Sequence, residues 1–536
     1  MRTYAIIKLE DIVKIDFAQI GETSAFTIRK SLDDTQFVIK WKNGYTPTFI
    51  SDESVIPIGT YTHAEILEIM ATPEWSEQYQ HNMSGIIINP YIFGIASSPD
   101  CVMEWTIAAG GDAAARTITL YGHGGITLNN YDVDWGDGTA IETGITTIDK
   151  THEYASDASI QIYTVTITGQ FGGLRMQKSP QANRDKLTKF VNWGTSQING
   201  VYGMFKDCSN MLYEATDAPD LTNLIAQYKD NFSYSFHGCS STVNLDLSGW
   251  SNVDSFTNMT ETFRGTDNLA TLNLSGWNLA NVTTMYRCFY GAGNVVGCDF
   301  NLSNINLPNC TTGQLFRSSC KFSVDPNFTN FDLSGFTNMS SLFNWSDGAV
   351  DIDLSTVDFT SAITSFNSFA GSSEATSFTF GSGSDFSGIT TYNSAFSTCP
   401  NLETVTFPPL TDFSNCTNFY RAFYNCSNMS TIDLGTIQDF GLVTSWQTFR
   451  GLGDCSINFL TTTNIQSTTA LSNLLYQTKI ETAQYDNLLQ ALVTAGNSSG
   501  NLGAGTSTYT ASPGAGGVAR AALVTAGWTI TDGGAA

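Results

Sequence analysis

Leu272-Asn-Leu-Ser-Gly-Trp-Asn-Leu-Ala-Asn-Val-Thr-Thr-Met-Tyr-Arg-Cys-Phe289 opens with two apolar residues, Leu272 and Leu274, flanking a polar one. That alternation is a short strand with two side chains inward and one outward. Val282, Met285 and Phe289 follow at the −7, −4, 0 spacing of a helical face, which predicts a short helix or 3₁₀ segment opposite the strand. The pattern recurs on both sides. Phe anchors stand at Phe205, Phe236, Phe263, Phe289, Phe316, Phe343, Phe369, Phe396, Phe423 and Phe449, with gaps of 31, 27, 26, 27, 27, 26, 27, 27 and 26 residues. A chain with 34 Phe in 536 residues does not produce that series by chance, and Leu475 extends it by one step. Nine and eleven residues after the anchors come Leu245/Leu247, Leu272/Leu274, Cys298/Phe300, Ile352/Leu354, Phe378/Phe380, Val405/Phe407 and Ile432/Leu434. Four before them stand Met259, Met285, Met339, Tyr392 and Phe419, and seven before them Phe256, Val282, Phe336, Ile389 and Leu442. The coil after Phe316 offers Asp325 and Asn327 where the strand pair should be, so a local distortion is expected there.

One strand and one helical segment per coil, with a period in the twenties, is the pattern of a leucine-rich-repeat-like solenoid. It covers residues 201–476 in about ten coils. A lone coil cannot bury its apolar face, so neighbours must stack and both ends need covering. Gly203-Met-Phe-Lys-Asp-Cys-Ser-Asn-Met-Leu, Leu245-Asp-Leu-Ser-Gly-Trp, Val253 to Met259 and Leu272-Asn-Leu-Ser-Gly-Trp resemble the BspA-like leucine-rich-repeat surface proteins. The resemblance is specific in the first four coils and implies a surface-exposed binding protein.

Residues 100–170 resemble an immunoglobulin-like polycystic-kidney-disease (PKD) β-sandwich. The residues that carry this are Tyr131-Asp-Val-Asp-Trp-Gly-Asp-Gly-Thr, Thr151-His-Glu-Tyr and Tyr163-Thr-Val-Thr-Ile-Thr-Gly. Tyr131, Val133 and Trp135 alternate onto one strand face, and Gly136-Asp-Gly-Thr makes a tight turn. The resemblance implies a spacer or adhesion module. Residues 171–200, with Arg175, Lys178, Arg184, Lys186 and Lys189, read as the N-terminal cap of the solenoid, the cations lying on a solvated face.

Residues 1–80 read as a small α+β attachment domain and residues 81–99 as a linker. Tyr4 to Leu9 and Phe37-Val-Ile-Lys-Trp read as strands, and Thr62-His-Ala-Glu is a capping box opening a helix through Met70. Met1-Arg-Thr-Tyr-Ala-Ile-Ile, Asp16-Phe, Glu22-Thr-Ser-Ala, Phe37-Val-Ile-Lys-Trp and Tyr61-Thr-His-Ala-Glu-Ile-Leu together resemble the N-terminal segment of structural proteins in marine cyanophage-like tailed bacteriophages. Residues 477–536 read as the C-terminal cap. Ala-Leu-Val-Thr-Ala-Gly occurs twice, at Ala491–Gly496 and Ala522–Gly527, each the end of a short helix with Gly just past it. Gly496 to Gly517 is the loop between them, and Trp528-Thr-Ile a last strand. The fold class is therefore mainly β with short helices.

Composition narrows the function. A length of 536 residues exceeds one core, and 41% hydrophobic residues exclude wholesale disorder. Charged residues are only 14%, so Ser, Thr, Asn and Gly must cover the surface. A net charge of −25 argues against nucleic acid and anionic membranes as partners. No apolar run approaches the roughly 20 residues of a membrane span, and the start turns charged before any signal-peptide apolar region. Eleven cysteines, an odd number without a CxxC pair, indicate neither a disulfide framework nor a zinc site. Cys208, Cys239, Cys399 and Cys426 lie three residues after anchors and read as buried thiols.

No enzyme constellation emerges. His63, His81, His123, His152 and His237 are scattered, and Asp132, Asp134 and Asp137 read as turn-forming carboxylates in preference to a Ca²⁺ site. Neither a metal nor a cofactor is expected. The outward strand residues Asp246, Asn273, Asp299, Asp353 and Asp433 form a partial ladder and are the candidate binding residues. The resulting expectation is a non-enzymatic virion structural protein of a tailed bacteriophage, a fibre, tail or capsid decoration on the virion exterior. Residues 1–80 would bind other virion proteins, and the solenoid would meet a host-surface glycan or protein; a homo-oligomer is compatible with this. The rivals are a bacterial cell-surface adhesin and a tailspike-like glycan depolymerase.

Overall fold

The computed structural model describes residues 101–536 apart from 124–129, 195–196, 223, 225–230, 312–313, 349, 358, 360–361, 409–410, 436–437, 444–445 and 466–469; within residues 1–100 it describes the backbone of five short strands. The chain divides into two compact units, Met1–Asp100 and Cys101–Ala536. In the first, β1 (Tyr4–Ile6) and β2 (Phe26–Thr27) both pair antiparallel with β3 (Phe37–Lys40). β4 (Thr48–Phe49) pairs antiparallel with β5 (Gly59–Thr60). The helix expected from Thr62 to Met70 lies outside the described residues.

The second unit opens with β6 (Cys101–Ile107), β7 (Thr117–Leu120), β8 (Asn130–Asp134), β9 (Glu142–Ile145), β10 (Lys150–Glu153) and β11 (Gln161–Gln170). Then come β12 (Leu187–Asn192) and β13 (Leu212–Tyr213). Six of them form one sheet in the order β13-β12-β6-β11-β8-β9, and β7 pairs with β10. Cys101, Met103, Trp105 and Ile107 alternate onto the buried face of β6 because successive strand side chains point to opposite faces. β12 runs antiparallel to β6 and parallel to β13, which belongs to the first coil. The segment expected as a separate cap is therefore woven into the sheet that begins at Cys101. A single apolar core runs on from Cys101 to Trp528.

Beyond it lies a β-solenoid of about 12 turns. Asn244–Asp246, Thr271–Asn273 and Asp299–Asn301 make one parallel sheet. Asp351–Leu354, Ser377–Phe380, Thr404–Thr406, Thr431–Asp433 and Ser456–Ile457 make a second. Between them, among the described residues, the coil of Phe316 offers only isolated bridges, among them Asn301↔Asn327 and Lys321↔Asp347, which is the distortion its Asp325 and Asn327 foreshadow.

All ten Phe anchors are at most 1% exposed. Phe263, Phe289, Phe316 and Phe343 stack ring on ring with centroids 5.7, 5.0 and 5.2 Å apart, as do Phe396, Phe423 and Phe449 at 5.3 and 5.8 Å. Phe369 stands edge-on to both neighbours, at 72° to Phe343 and 67° to Phe396, and stacks instead on Phe366 of its own coil. Such ring pairs add about 0.5–1.5 kcal/mol each beyond simple burial.

The helical segment predicted opposite each strand is absent: among the described residues of the coils there is one 3₁₀ turn, Val253–Ser255. Positive φ interrupts the chain two residues before the anchor, at Gly203, Tyr234, Glu261, Arg287, Ser341, Ser394 and Arg421. It does so again two residues after, at Asp207, Gly238, Gly265, Gly291, Ser318, Trp345, Thr398, Asn425 and Gly451. The amides of Met259, Glu261, Phe263 and Gly265 donate to the carbonyls of Thr284, Tyr286, Cys288 and Tyr290 in the next coil, at 2.9–3.0 Å. Inter-coil bonds thus satisfy groups that a helix would satisfy internally. The expected inward Leu442 is 52% exposed, and Val443 beside it is buried in its place.

Parallel pairing runs on past Tyr476, from Ala470–Leu471 to Gly500–Gly503 to Trp528–Thr531. The stretch from Gly496 to Gly517 is therefore not simply a loop. Gly503 permits its strand, since a Cβ there would sit 1.9 Å from the Ser472 carbonyl oxygen. Two helices, Thr482–Ala495 and Ala515–Thr525, pack together opposite these last strands, with Gly496 and Gly527 just past their ends at φ 73° and 98°.

Candidate functional site

The strand side presents two outward rows. In the first sheet Asp246 faces Asn273, and Asn273 faces Asn301. Asp299, counted from its anchor as a member of this row, falls beside Thr271 instead. The reason is local: Gly291, Gly293 and Gly297 all adopt positive φ, and the coil takes up two extra residues before its strand. In the second sheet the row runs Asp353, Thr379, Thr406, Asp433.

Side chains tie these rows together. The Asn273 amide donates to Asp246 Oδ1 at 3.0 Å, and Asn327 donates to Asn301 Oδ1 at 3.2 Å. Asp246 also accepts from the Ser248 amide and hydroxyl at 3.1 and 2.7 Å. Asp353 accepts from the Ser355 amide at 2.8 Å, and Asp433 from the Gly435 amide at 3.0 Å and the Asn458 side chain at 2.5 Å. Asp351, two residues before Asp353 on the same face, accepts from the hydroxyls of Thr376 and Ser377, both at 2.7 Å. Those hydroxyls, Thr376 first, hold its carboxyl below the ordinary carboxylate range.

The carboxylates of the tight turn at Gly136–Gly138 are likewise engaged. Asp132 accepts from the Gly144 amide, Asp134 from Gly136, and Asp137 from the Thr139 amide and hydroxyl. His152 Nε2 lies 2.9 Å from Asp137 while its ring stacks on Trp135 at 4.7 Å. Burial alone would raise the Asp137 carboxyl, but Thr139 and His152 outweigh it and hold it low. Among the described residues no group of three or more His, Cys, Asp or Glu is placed to hold a metal ion.

The basic cluster is dispersed. Arg184 pairs with Asp207 at 2.6 Å, Lys189 lies 3.4 Å from Glu104 and Glu214, and Lys178 lies 3.9 Å from Asp149. Lys186 donates to the carbonyls of Ala114 and Thr117. His237 sits between Asp207 and Glu261, and the His123 ring is buried, which lowers its pKa to about 3. His63 and His81 lie outside the described residues. All eleven cysteines are buried, and none is in a disulfide. Burial pushes up the thiols of Cys208, Cys239, Cys288, Cys298, Cys320, Cys416, Cys426 and Cys455, to about 11 at Cys416 and about 12 at Cys455, so these eight are poor nucleophiles. Cys239, Cys399 and Cys426 donate to the carbonyls of Phe205, Ala370 and Phe396, each in the preceding coil.

The turn side carries a second surface. Six of the eight Lys and Arg in residues 201–476 stand two before or one after an anchor: Lys206, Arg264, Arg287, Arg317, Arg421 and Arg450. Tyrosines share these positions and the one three before. Arg264 lies 4.8 Å over the Tyr290 ring, Arg287 4.8 Å over Tyr286, and Arg450 4.7 Å over Tyr476. Arg421 is 4.9 and 4.7 Å from the rings of Tyr420 and Tyr424, and Lys206 is 4.9 Å from Tyr234. Trp345, on the same segment of its coil, is 61% exposed. The sequence signal was a two-position bias relative to the Phe series, legible only once the anchors are aligned and the helical reading is set aside.

A family model described as a Mycoplasma protein of unknown function, DUF285, matches residues 206–323 and 230–356, all within the solenoid. No curated protein and no solved structure matches the chain.

Proposed function

We propose that the protein is a non-enzymatic adhesion protein whose solenoid is displayed toward a surface glycan or protein. In this reading it belongs to the exterior of a tailed-bacteriophage virion. Residues 1–80 hold other virion proteins, residues 101–170 are a PKD-like module, and the coils are of the BspA-like leucine-rich-repeat type. The observation that carries the binding reading is the pair of polar rows, in which Asp246, Asp353 and Asp433 already serve as hydrogen-bond acceptors for their own coil or the next. Such rows suit weak contacts repeated from coil to coil.

They do not suit glycoside hydrolysis. Asp353 and Asp433 are three coils apart in one row, so at about 4.8 Å per step they lie about 14 Å apart, beyond the roughly 5–9.5 Å that catalytic carboxylates span. Asp351 and Asp353 are nearer, but the Thr376 and Ser377 hydroxyls shift Asp351 downward, opposite to what a general acid requires.

Incubation of the purified protein with host envelope polysaccharide should leave the polymer length unchanged while a binding assay gives a weak, multivalent signal. Release of oligosaccharides that vanishes in Asp351→Asn or Asp353→Asn would promote the depolymerase. A chain starting at Asp100 should fold yet fail to enter particles. A bacterial cell-surface adhesin is the second reading, favoured by the Mycoplasma family match over the solenoid. Labelling of intact cells and of purified particles with an antibody to the coils separates the two.

A further inference from the structure

The turn side is electrostatically opposite to the strand side. No Lys or Arg occurs in any of the eight parallel strands between Asn244 and Ile457, whereas the six cations named above gather around the anchors. Asp207 and Glu261 are the only carboxylates between three residues before and two after any anchor. They are occupied by Arg184, His237 and Arg264. Arg287, Arg317, Arg421 and Arg450 have no carboxylate within 4.0 Å among the described residues, in a chain with 49 Asp and Glu to 24 Lys and Arg. Their contacts are neutral. Gln314 Oε1 accepts from Arg317 Nη1 at 2.7 Å and from Arg287 Nε at 3.5 Å, and Gln447 Oε1 accepts from Arg421 Nε at 3.0 Å. Arg450 rests on tyrosine rings. Amides and aromatic faces hold a guanidinium in place without cancelling its charge.

This arrangement costs stability that the free chain does not recover. The Nε groups of Arg317 and Arg450 are buried without an acceptor, and such a donor typically costs about 1–3 kcal/mol. Arg287, Arg421 and Trp345 all sit at positive φ, where a side-chain-bearing residue is disfavoured by about 1–2 kcal/mol. Trp345 adds an exposed indole between the two arginine clusters. Positive φ at these positions belongs to the turn in most coils, and the four arginines are half-buried there with their charges uncancelled, near an exposed indole.

We propose that the turn side of the solenoid binds an acidic polysaccharide. Its anionic groups meet Arg287, Arg317, Arg421 and Arg450, and a sugar ring stacks on Trp345. Arg287 and Arg317 stand on adjacent coils, as do Arg421 and Arg450, and the coils of Phe343, Phe369 and Phe396 between the two pairs carry no cation beside their anchors. A polyanionic sugar chain long enough to reach both pairs, passing the exposed Trp345 between them, therefore matches the face. Nucleic acid fits less well, because its denser charge would meet the net −25 of the whole chain. The inference concerns a different face from the polar strand rows and holds wherever the protein is displayed.

The test uses the full-length protein and four immobilised probes: polygalacturonate, neutral dextran, polyglutamate and single-stranded DNA. Polygalacturonate should bind at least tenfold more tightly than the other three, with affinity falling steeply as salt rises. Arg421→Gln with Arg450→Gln should weaken it at least tenfold, Trp345→Ala severalfold, and Asp157→Asn, outside the coils, not at all. Circular dichroism melting checks that each variant folds, and the salt dependence of the unmodified protein reads the cations without any substitution. Binding no tighter than to dextran, or insensitive to salt and to the arginine changes, overturns the proposal. Equal or tighter capture of polyglutamate or DNA overturns it in favour of an acidic peptide or a nucleic acid.

Discussion

The two sides of each coil share one period and one row of Phe anchors, yet they meet the backbone's hydrogen-bonding demand by different means. The strand side uses parallel ladders, with Leu272 facing Leu245 and Phe300 across register. The turn side uses left-handed residues that send alternate amides to the next coil. The ladder admits any β-forming residue and fills its outward positions with Asp, Asn and Thr. The turn restricts the backbone, yet Tyr, Glu and Arg occupy positions where Gly would be easiest. The comparison teaches that side chains on the turn side answer to something other than local preference, whereas those on the strand side also close hydrogen bonds within the stack.

The largest expected effect tests what the two sides share. Phe289→Ala and Phe343→Ala remove rings buried between coils and should each lower stability by about 3–5 kcal/mol. Leu272→Ala on the strand side should cost about 2–5 kcal/mol. Chemical unfolding followed by circular dichroism measures all three, and an anchor variant indistinguishable from the unmodified protein would dissolve the common core. The next effect separates the sides. Ser341 and Ser394 have φ of 63° and 56°, so Ser341→Gly and Ser394→Gly should stabilise by about 1 kcal/mol. In a helix the same change would cost several tenths. Thr379→Gly in the strand should instead destabilise by about 1 kcal/mol. A loss at both serines would restore the helical segment.

The smallest effect is electrostatic. Asp351 is held low in the folded state by Thr376 and Ser377. Its contribution is therefore present above the unfolded carboxylate value near about 4 and lost as pH falls through the folded value. Solvent screening limits that contribution to about 0.5 kcal/mol. The difference in unfolding midpoint between about pH 6 and about pH 3 should shrink in Asp351→Asn. Arg421→Gln should leave that difference unchanged, because arginine stays charged throughout.

Much of the fold was legible. The Phe series located the coils, the +9/+11 pairs located the strands, and Asp325 with Asn327 marked the break between the sheets. The turn was misread because a −7, −4, 0 apolar spacing does not distinguish a helix from a tight turn with two left-handed residues; both bring those positions inward. Counting from the anchor also failed for Asp299, since three left-handed glycines lengthen that coil without altering the next Phe gap. Glycine misled again at Gly500–Gly503, where close approach to Ser472 demands it within a strand and composition suggested a loop. The arginine and tyrosine positions were present in the sequence but looked scattered while the turn was taken for a helix.

The strand pairing through β12 has a mechanical consequence. A flexible linker between the β-rich start of this unit and the coils would act as a swivel, dissipating torque. Here β12 is bonded to β6 on one edge and to β13 of the first coil on the other, and the apolar core is continuous beneath. A sideways load on the coils is therefore transmitted to Cys101–Ile107 as bending of one stiff beam, with no joint among the described residues of β12 and its two neighbouring strands to relieve it.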